Sequence, residues 1–342
     1  DHTERDMARL LPPASVSVGD WMPRITLPLT SGRLFDSWDP TTSGHARVYW
    51  LGAPSADIVT SLARSLEACE TLLHVVTGTP PDSSSDYSSC LLDRLGELGR
   101  AFASNGALAI IVDAAGRVAE VLPQPTSGAI AARVTQLYTA SQPAVVQAKA
   151  PVLLLERVVD PGLRRTLIDY WQCSDKVSNT VGGRQGNVVN GDVKRRHDVQ
   201  LDDPGLFVQL RDCLVRRVVP AILRAFHVGI MVVEAPIIGC YDADCGGRFG
   251  RHRDNTSSYT AHRQFALSLN LNPDEEYDGG ELRFPEFGRE LYRPVAGGAL
   301  VFSSSLLHEV VPVTRGRRFG VFTFLSASGP SLRRPHPSHG GG

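Results

Sequence analysis

Apolar and polar positions follow two different regimes along the 342-residue chain. Up to about residue 140, short apolar runs alternate with segments of helical spacing. "RITLPLT" (24–30) and "ARVYWLG" (46–52) carry the β-branched and aromatic residues of strands, whereas "DIVTSLARSLEAC" (57–69) repeats its apolar positions every three or four residues. "TLLHVVTG" (71–78) predicts a strand, "LLDRLGELGRAFAS" (91–104) a helix, and "LAIIVDAAGRVAEVL" (108–122) a hairpin turned at Ala-Ala-Gly. "SGAIAARVTQLYTAS" (127–141) predicts a closing helix with Ser127 as its cap. Strands spaced by helices pack as a sheet covered by helices, so residues 14–142 are expected to form an α/β domain. "TGTPPDSSSDYSS" between them has the composition of a surface loop.

The regime changes after the polar, proline-bounded connector "SQPAVVQAKAP" (141–151). "LLLERVV" predicts a strand and "PGLRRTLIDYWQC" (161–173) a helix opening on a tolerated proline. "GLFVQLRDCLVRRVVPAILRAF" (205–226) reads as one long amphipathic helix kinked at Pro220. From Ile230 onward the runs are short and strand-like: "MVVEAPIIGCYD", "QFALSLNLN", "GELRFPEF", "ELYRPVAGGALVFSSS", "LHEVVPVT" and "RRFGVFTFLS". Helices followed by many short strands predict a β-sandwich or jelly roll buttressed by helices over 150–328, with a flexible tail over 329–342.

Composition narrows the class. An apolar share of 42% with 21% charged residues is that of an ordinary soluble globular protein, and the length suits two domains. A net charge of −1 gives no field to recruit nucleic acid or an anionic membrane. No apolar run is long enough to span a bilayer, and "DHTERDMARLLPP" lacks a signal pattern. A cytoplasmic location is therefore the expectation. The six cysteines are scattered without a CxxC pair, which reads as reduced thiols.

The candidate chemistry centres on "RFGRHRDNT" (248–256). His-x-Asp alone is weak, but residues i and i+2 of a strand share a face, so His252 and Asp254 can point together. His308 ends the apolar run "GALVFSSSLLH" and can complete a set of two imidazoles and one carboxylate, the arrangement of non-haem Fe(II) oxygenases. Farther along, Arg318 opens another apolar strand. Its planar guanidinium suits bidentate pairing with the distal carboxylate of 2-oxoglutarate. Arg317 and Arg318 are adjacent, so only one faces inward; if it is Arg318, then Gly320, Phe322 and Phe324 share its face.

The run "CYDADCGGRFGRHRDN…RQFALSLNLN…YDGGELRFPEFG…GALVFSSSLLHEVVPVTRGRRFGVFTFL" resembles the prolyl 4-hydroxylase-like family of 2-oxoglutarate/Fe(II) dioxygenases over about 150–326. The resemblance implies a double-stranded β-helix (jelly roll, cupin-like) with supporting helices. It also implies iron ligation by His252, Asp254 and His308 and 2-oxoglutarate binding by Arg318. Tyr241 matches a tyrosine that bonds the same carboxylate, although a half-buried strand aromatic is the plain alternative. Asn270 stands where other members place a polar cosubstrate contact, with a structural hydrogen bond as its alternative. Fe(II), 2-oxoglutarate and O2 are the implied cofactors, with ascorbate as a stimulant. Asp254 fills the position that iron halogenases of the superfamily leave open, which argues against halogenation. The implied activity is hydroxylation of an unactivated C–H in an amino acid, peptidyl residue or small metabolite, releasing succinate and CO2. A natural-product tailoring oxygenase giving desaturation, cyclisation or epimerisation is the alternative within the class. A redox or interaction protein with a degenerate oxygenase domain is the alternative outside it. Arginines crowd the same region, and Arg263 and Arg251 are the candidate substrate contacts, with solvated outward arginines as the plain alternative.

Residues 15–140 resemble the peroxiredoxin/thioredoxin-like fold through "VGDWMPRITLPLTSGRLF" and "LAIIVDAAGRVAEVL". Active members carry a nucleophilic cysteine near the start of the first central helix, where its N-terminus depresses the thiol pKa. Here "APSADIV" offers Ser55, Ala56 and Asp57 and no cysteine before Cys69, so no peroxidase activity is expected. Docking, homodimerisation or substrate shaping are the roles left to this domain.

Overall fold

The computed structural model describes residues 15–39, 42, 44–80, 90–104, 106–140, 149–178, 180–183, 186–189 and 193–327. Most of the loop expected after Thr77, most of the 141–151 connector and the expected flexible tail lie outside the described residues. The chain divides into two compact units, Asp1–Val145 and Val146–Gly342.

In the first unit five of the described strands form a sheet in the order Cys90–Leu92, Thr71–Thr77, Ala46–Leu51, Leu108–Val112, Val118–Pro123, and Thr26–Pro28 pairs with Leu34–Asp36 in a separate ribbon. The first three run parallel and the last two join antiparallel. Helices Ala56–Glu67 and Ser127–Ala140 cover one face, where Leu62, Leu66, Ile130 and Val134 pack on Val48, Trp50, Ala109 and Ile111. The opposite face buries Tyr49 and Ile110 under Met22, Ile25, Phe35 and Leu98.

Two local expectations fail here. The helix expected over 91–104 is the edge strand Cys90–Leu92 followed by a short helix, Glu97–Ala101. The Asp93 carboxylate stops the strand and starts that helix by accepting from the amides of Glu97 and Leu98, while Gly96 adopts φ +64°. The cap of the Ser127–Ala140 helix is Thr126, whose hydroxyl accepts from the Ala129 amide at 3.2 Å.

The second unit has a large antiparallel sheet with a core path Val152–Leu155, Ala299–Ser303, Phe265–Asn270, Val313–Ser326, Ile237–Asp242, His197–Gln200 and Val177–Ser178. A smaller sheet runs Lys194–Arg195, Arg248–His252, His308–Val310, Leu282–Arg283, Leu291–Tyr292. Alternation divides the large sheet cleanly. Ile238, Cys240, Leu267, Leu269, Phe319 and Val321 face helices Pro161–Cys173, Pro204–Arg217 and Val219–Phe226. The residues between them, Tyr241, Ala266, Phe322 and Phe324, turn to the other side and share a core with Leu282, Tyr292 and Val310 of the smaller sheet. That is a two-sheet sandwich with helices on one outer face. The helix expected over 205–226 is two helices that meet at Val218, because Pro220 supplies no amide for a continuous ladder.

Asp198 and its neighbours Lys194 and Arg196 are buried despite their charge. The cause is its strand: His197–Gln200 lies inside the large sheet, with Asp198 opposite Gly239.

Candidate metal centre

His252 and His308 face each other directly across the Arg248–His252 and His308–Val310 strands. Asp254 lies past the end of its strand, so strand alternation is not what aims it. Its amide donates to the Ser304 carbonyl at 3.0 Å, which pins the turn against the segment leading to His308. The ligand-type atoms of His252, Asp254 and His308 all lie within 4.8 Å of one another. His252 Nε2 is 3.3 Å from Asp254 Oδ1, and His308 Nε2 is 3.5 Å from Asp254 Oδ2.

Backbone carbonyls orient both rings. His252 Nδ1 meets Gly250 O at 2.7 Å and His308 Nδ1 meets Leu306 O at 3.0 Å. A carbonyl can only accept, so each Nδ1 carries a proton and each Nε2 is the nitrogen turned toward the shared space. Burial lowers the His308 pKa to about 4, opposed in part by Asp254. At Asp254 burial pushes the pKa up, but the His252 hydrogen bond and the fields of His308, His252 and Arg263 outweigh it and leave the carboxyl below its ordinary value. A neutral imidazole at His308 and an ionised carboxylate at Asp254 are the protonation states that metal ligation needs. The donor set therefore fits a divalent iron. Aromatic walls hold it: Phe249 stacks on His252 at 3.7 Å, and Phe302 meets His308 edge-on at 4.7 Å.

Arg318 points inward and is 1% exposed; its neighbour Arg317 points outward and pairs with Asp242. Arg318 lies opposite Tyr241 in the strand register. Its nitrogens reach Gly280 O (2.7 Å), Ser268 Oγ (3.0 Å) and Asn270 Oδ1 (3.5 Å), and none of these is a carboxylate. Gly280 makes this approach possible. It adopts φ +74°, and a Cβ there would sit 3.0 Å from Arg318 Cδ. A buried guanidinium without a counter-ion costs several kcal/mol (roughly) unless an anion joins it.

The remaining sequence candidates separate. Asn270 spends both amide hydrogens on Asn272 O and Pro294 O and accepts from Tyr277 and Arg318, so it holds Arg318 and has no donor left for a cosubstrate. Arg263 stacks on Phe324 at 3.6 Å and gives Nε and Nη2 to Glu234, which also meets His262. Arg251 is not brought to the site. It alternates with His252 onto the outer face of the small sheet, exposed beside Glu309.

Arg196 is the residue that sequence reasoning missed. It is 6% exposed, pairs with Asp198 through Nε and Nη2, donates from Nη1 to the Tyr241 hydroxyl at 3.3 Å and lies 4.0 Å over the Phe322 ring. The period-2 pattern of Lys194, Arg196 and Asp198 was the available signal, since three alternating charges on one face imply mutual pairing. Burial lowers Lys194 to about 8, assisted by Arg196 and opposed by Asp198.

Comparison with known proteins follows this geometry. The family model described as "2OG-Fe(II) oxygenase superfamily" matches residues 238–326. A PKHD-type hydroxylase of Stutzerimonas stutzeri is 31% identical over 163 residues, covering 42% of this chain and 67% of the relative. One from Teredinibacter turnerae is 29% identical over 183 residues, covering 51% and 78%. One from Synechococcus is 32% identical, but the chain spans only 44% of its length. Among solved structures, a Pseudomonas putida prolyl-4-hydroxylase aligns with a TM-score of 0.41 and 18% identity, covering 53% of this chain and 95% of that one. No helix among the described residues is long and apolar enough to cross a membrane.

Proposed function

The chain belongs to the 2OG-Fe(II) oxygenase superfamily, and from that premise we propose that it hydroxylates an unactivated C–H of an amino acid, peptidyl residue or small metabolite at the His252–Asp254–His308 centre. The family makes it an oxidoreductase of the hydroxylase type that takes Fe(II), 2-oxoglutarate and O2. The observation that carries the site reading is the convergence of two Nε2 atoms and one carboxylate, with both Nδ1 atoms committed to carbonyls.

In this reading His252, Asp254 and His308 hold the iron by one face. The metal with its cosubstrate supplies the oxidising chemistry, in which 2-oxoglutarate leaves as succinate and CO2. Arg318 receives the distal carboxylate as a charge-assisted pair and so acquires the counter-ion its burial demands. Tyr241, opposite it, donates to the same group. Phe249, Phe302, Phe322 and Phe324 exclude water from the space between the sheets. Arg263, with Nη1 not taken by Glu234, is the proposed contact for an anionic part of the substrate.

The first unit's parallel-then-antiparallel sheet order supports a thioredoxin-like reading. Cys69 and Cys90 are buried thiols, and Ser55 occupies the N-cap position of the helix near which a reactive cysteine would stand. Its proposed roles are docking, substrate shaping or homodimerisation, and the six free thiols suit a cytoplasmic enzyme. The test is a pool of peptides and metabolites incubated with Fe(II), ascorbate and 2-oxoglutarate. Products heavier by one oxygen atom, formed in step with succinate, are expected. Succinate without any oxygenated product from amino acids, peptides or metabolites contradicts the substrate proposal.

A further inference from the structure

Resting on the reading of Tyr241 as a cosubstrate contact, we propose that Arg196 is a positioning residue that turns the Tyr241 hydroxyl hydrogen toward the ligand. Arg196 Nη1 donates to the Tyr241 oxygen, which occupies that oxygen as an acceptor and forces its own hydrogen elsewhere. Tyr241 is 1% exposed, and among the described residues nothing accepts that hydrogen. A buried hydroxyl donor without an acceptor is a poised contact for an anionic oxygen. Arg318, centred 5.7 Å over the same ring, supplies the attraction for that anion.

The support for Arg196 comes from both sheets. Asp198 takes its Nε and Nη2, the Phe322 ring centroid lies 4.0 Å from its Cζ, and Lys194 donates to Asp198 at 2.6 Å. Gly239, opposite Asp198, leaves the notch that the pair occupies. A Cβ at Gly239 would lie 2.8 Å from Arg196 Cδ and Nε and 2.8 Å from Asp198 Oδ1. Four residues on four strands therefore serve one guanidinium whose Nη1 meets one hydroxyl. An ion pair needed only for packing would not require Nη1 to reach Tyr241.

Because Arg196 acts through Tyr241, its effect disappears when the hydroxyl is absent. The experiment is anaerobic titration of the full chain with 2-oxoglutarate in the presence of Fe(II), read by the visible charge-transfer band. It compares the parent, Tyr241→Phe, Arg196→Gln, Arg196→Lys, Gly239→Ala and the Arg196→Gln/Tyr241→Phe pair. Each single variant is expected to weaken binding roughly tenfold, the size of one lost hydrogen bond. The double variant is expected to match Tyr241→Phe within about twofold. Arg196→Lys keeps a cation for Asp198 and reports the geometry should Arg196→Gln melt early. Parental affinity in Arg196→Lys and Gly239→Ala, or losses that multiply in the double variant, overturn the inference. Absence of the band in the parent instead overturns the site reading on which it rests, so the two failures are distinct.

Discussion

Two buried histidine nitrogens, one in each unit, show what burial can and cannot do. His74 packs between Phe35 at 4.7 Å and Tyr49 at 5.3 Å, and burial, aided by Arg47, lowers its pKa to about 4. His308 packs between Phe302 and His252 and reaches the same value for the same leading reason. Desolvation is thus the leading cause that keeps both rings neutral. The difference lies in what faces Nε2. For His74 it is a buried nitrogen with no partner among the described residues; for His308 it is Asp254 and the opposed His252. A neutral imidazole becomes a metal ligand only where a carboxylate and a second imidazole converge on it.

The sharpest way to break that contrast is substitution. His308→Ala is expected to drop bound Fe(II) from about one per chain to near zero after anaerobic reconstitution, whereas His74→Phe leaves it unchanged. Retained iron in His308→Ala, measured by metal analysis, would remove it from the ligand set. Next in size, Arg318→Ala should raise the 2-oxoglutarate half-saturation about 100-fold, the scale of a buried charge pair losing one partner, while Arg317→Ala changes it less than about twofold. The reverse outcome exchanges their roles.

Acid sharpens the comparison differently. Both histidines have folded pKa values below the ordinary 6.5, so protons favour the unfolded chain. Their contribution to stability is complete above pH 6.5 and lost as pH falls toward 4. Asp254, also held below its ordinary value, adds a further loss as pH falls through its own folded pKa. The metal-free chain should therefore melt progressively lower from pH 6.5 to 4, and His74→Phe should flatten part of that slope without affecting iron. A melting temperature independent of pH across this window contradicts the burial argument. The smallest effect is expected at Arg251→Ala, within about twofold for iron and cosubstrate affinity, because its partner Glu309 lies on the outer face.

The order of His252, Asp254, His308 and Arg318 along the chain was legible in sequence, but Asp254 lies past the end of its strand and is aimed by its amide bond to Ser304, which alternation does not announce. Alternation said only that one of Arg317 and Arg318 faces inward, and burial shows it to be Arg318. What escaped depended on side-chain partners that apolar periodicity does not reveal. Nothing near Arg196 announces that Gly239 will open a notch for it, or that Tyr241 will meet its third nitrogen. Asn270 left a cosubstrate contact and a structural hydrogen bond open in sequence, and its bonds to Asn272, Pro294 and Tyr277 are structural. The helix expected over 91–104 failed because the Asp93 side chain, not apolar periodicity, decides where the chain turns.

The central claim is that His252, Asp254 and His308 form an iron site served by 2-oxoglutarate. Anaerobic titration of the intact chain tests it most directly. The expected result is saturation at about one Fe(II) per chain, with a visible charge-transfer band that grows on adding 2-oxoglutarate. Iron-replete protein that develops no such band at saturating 2-oxoglutarate would contradict it.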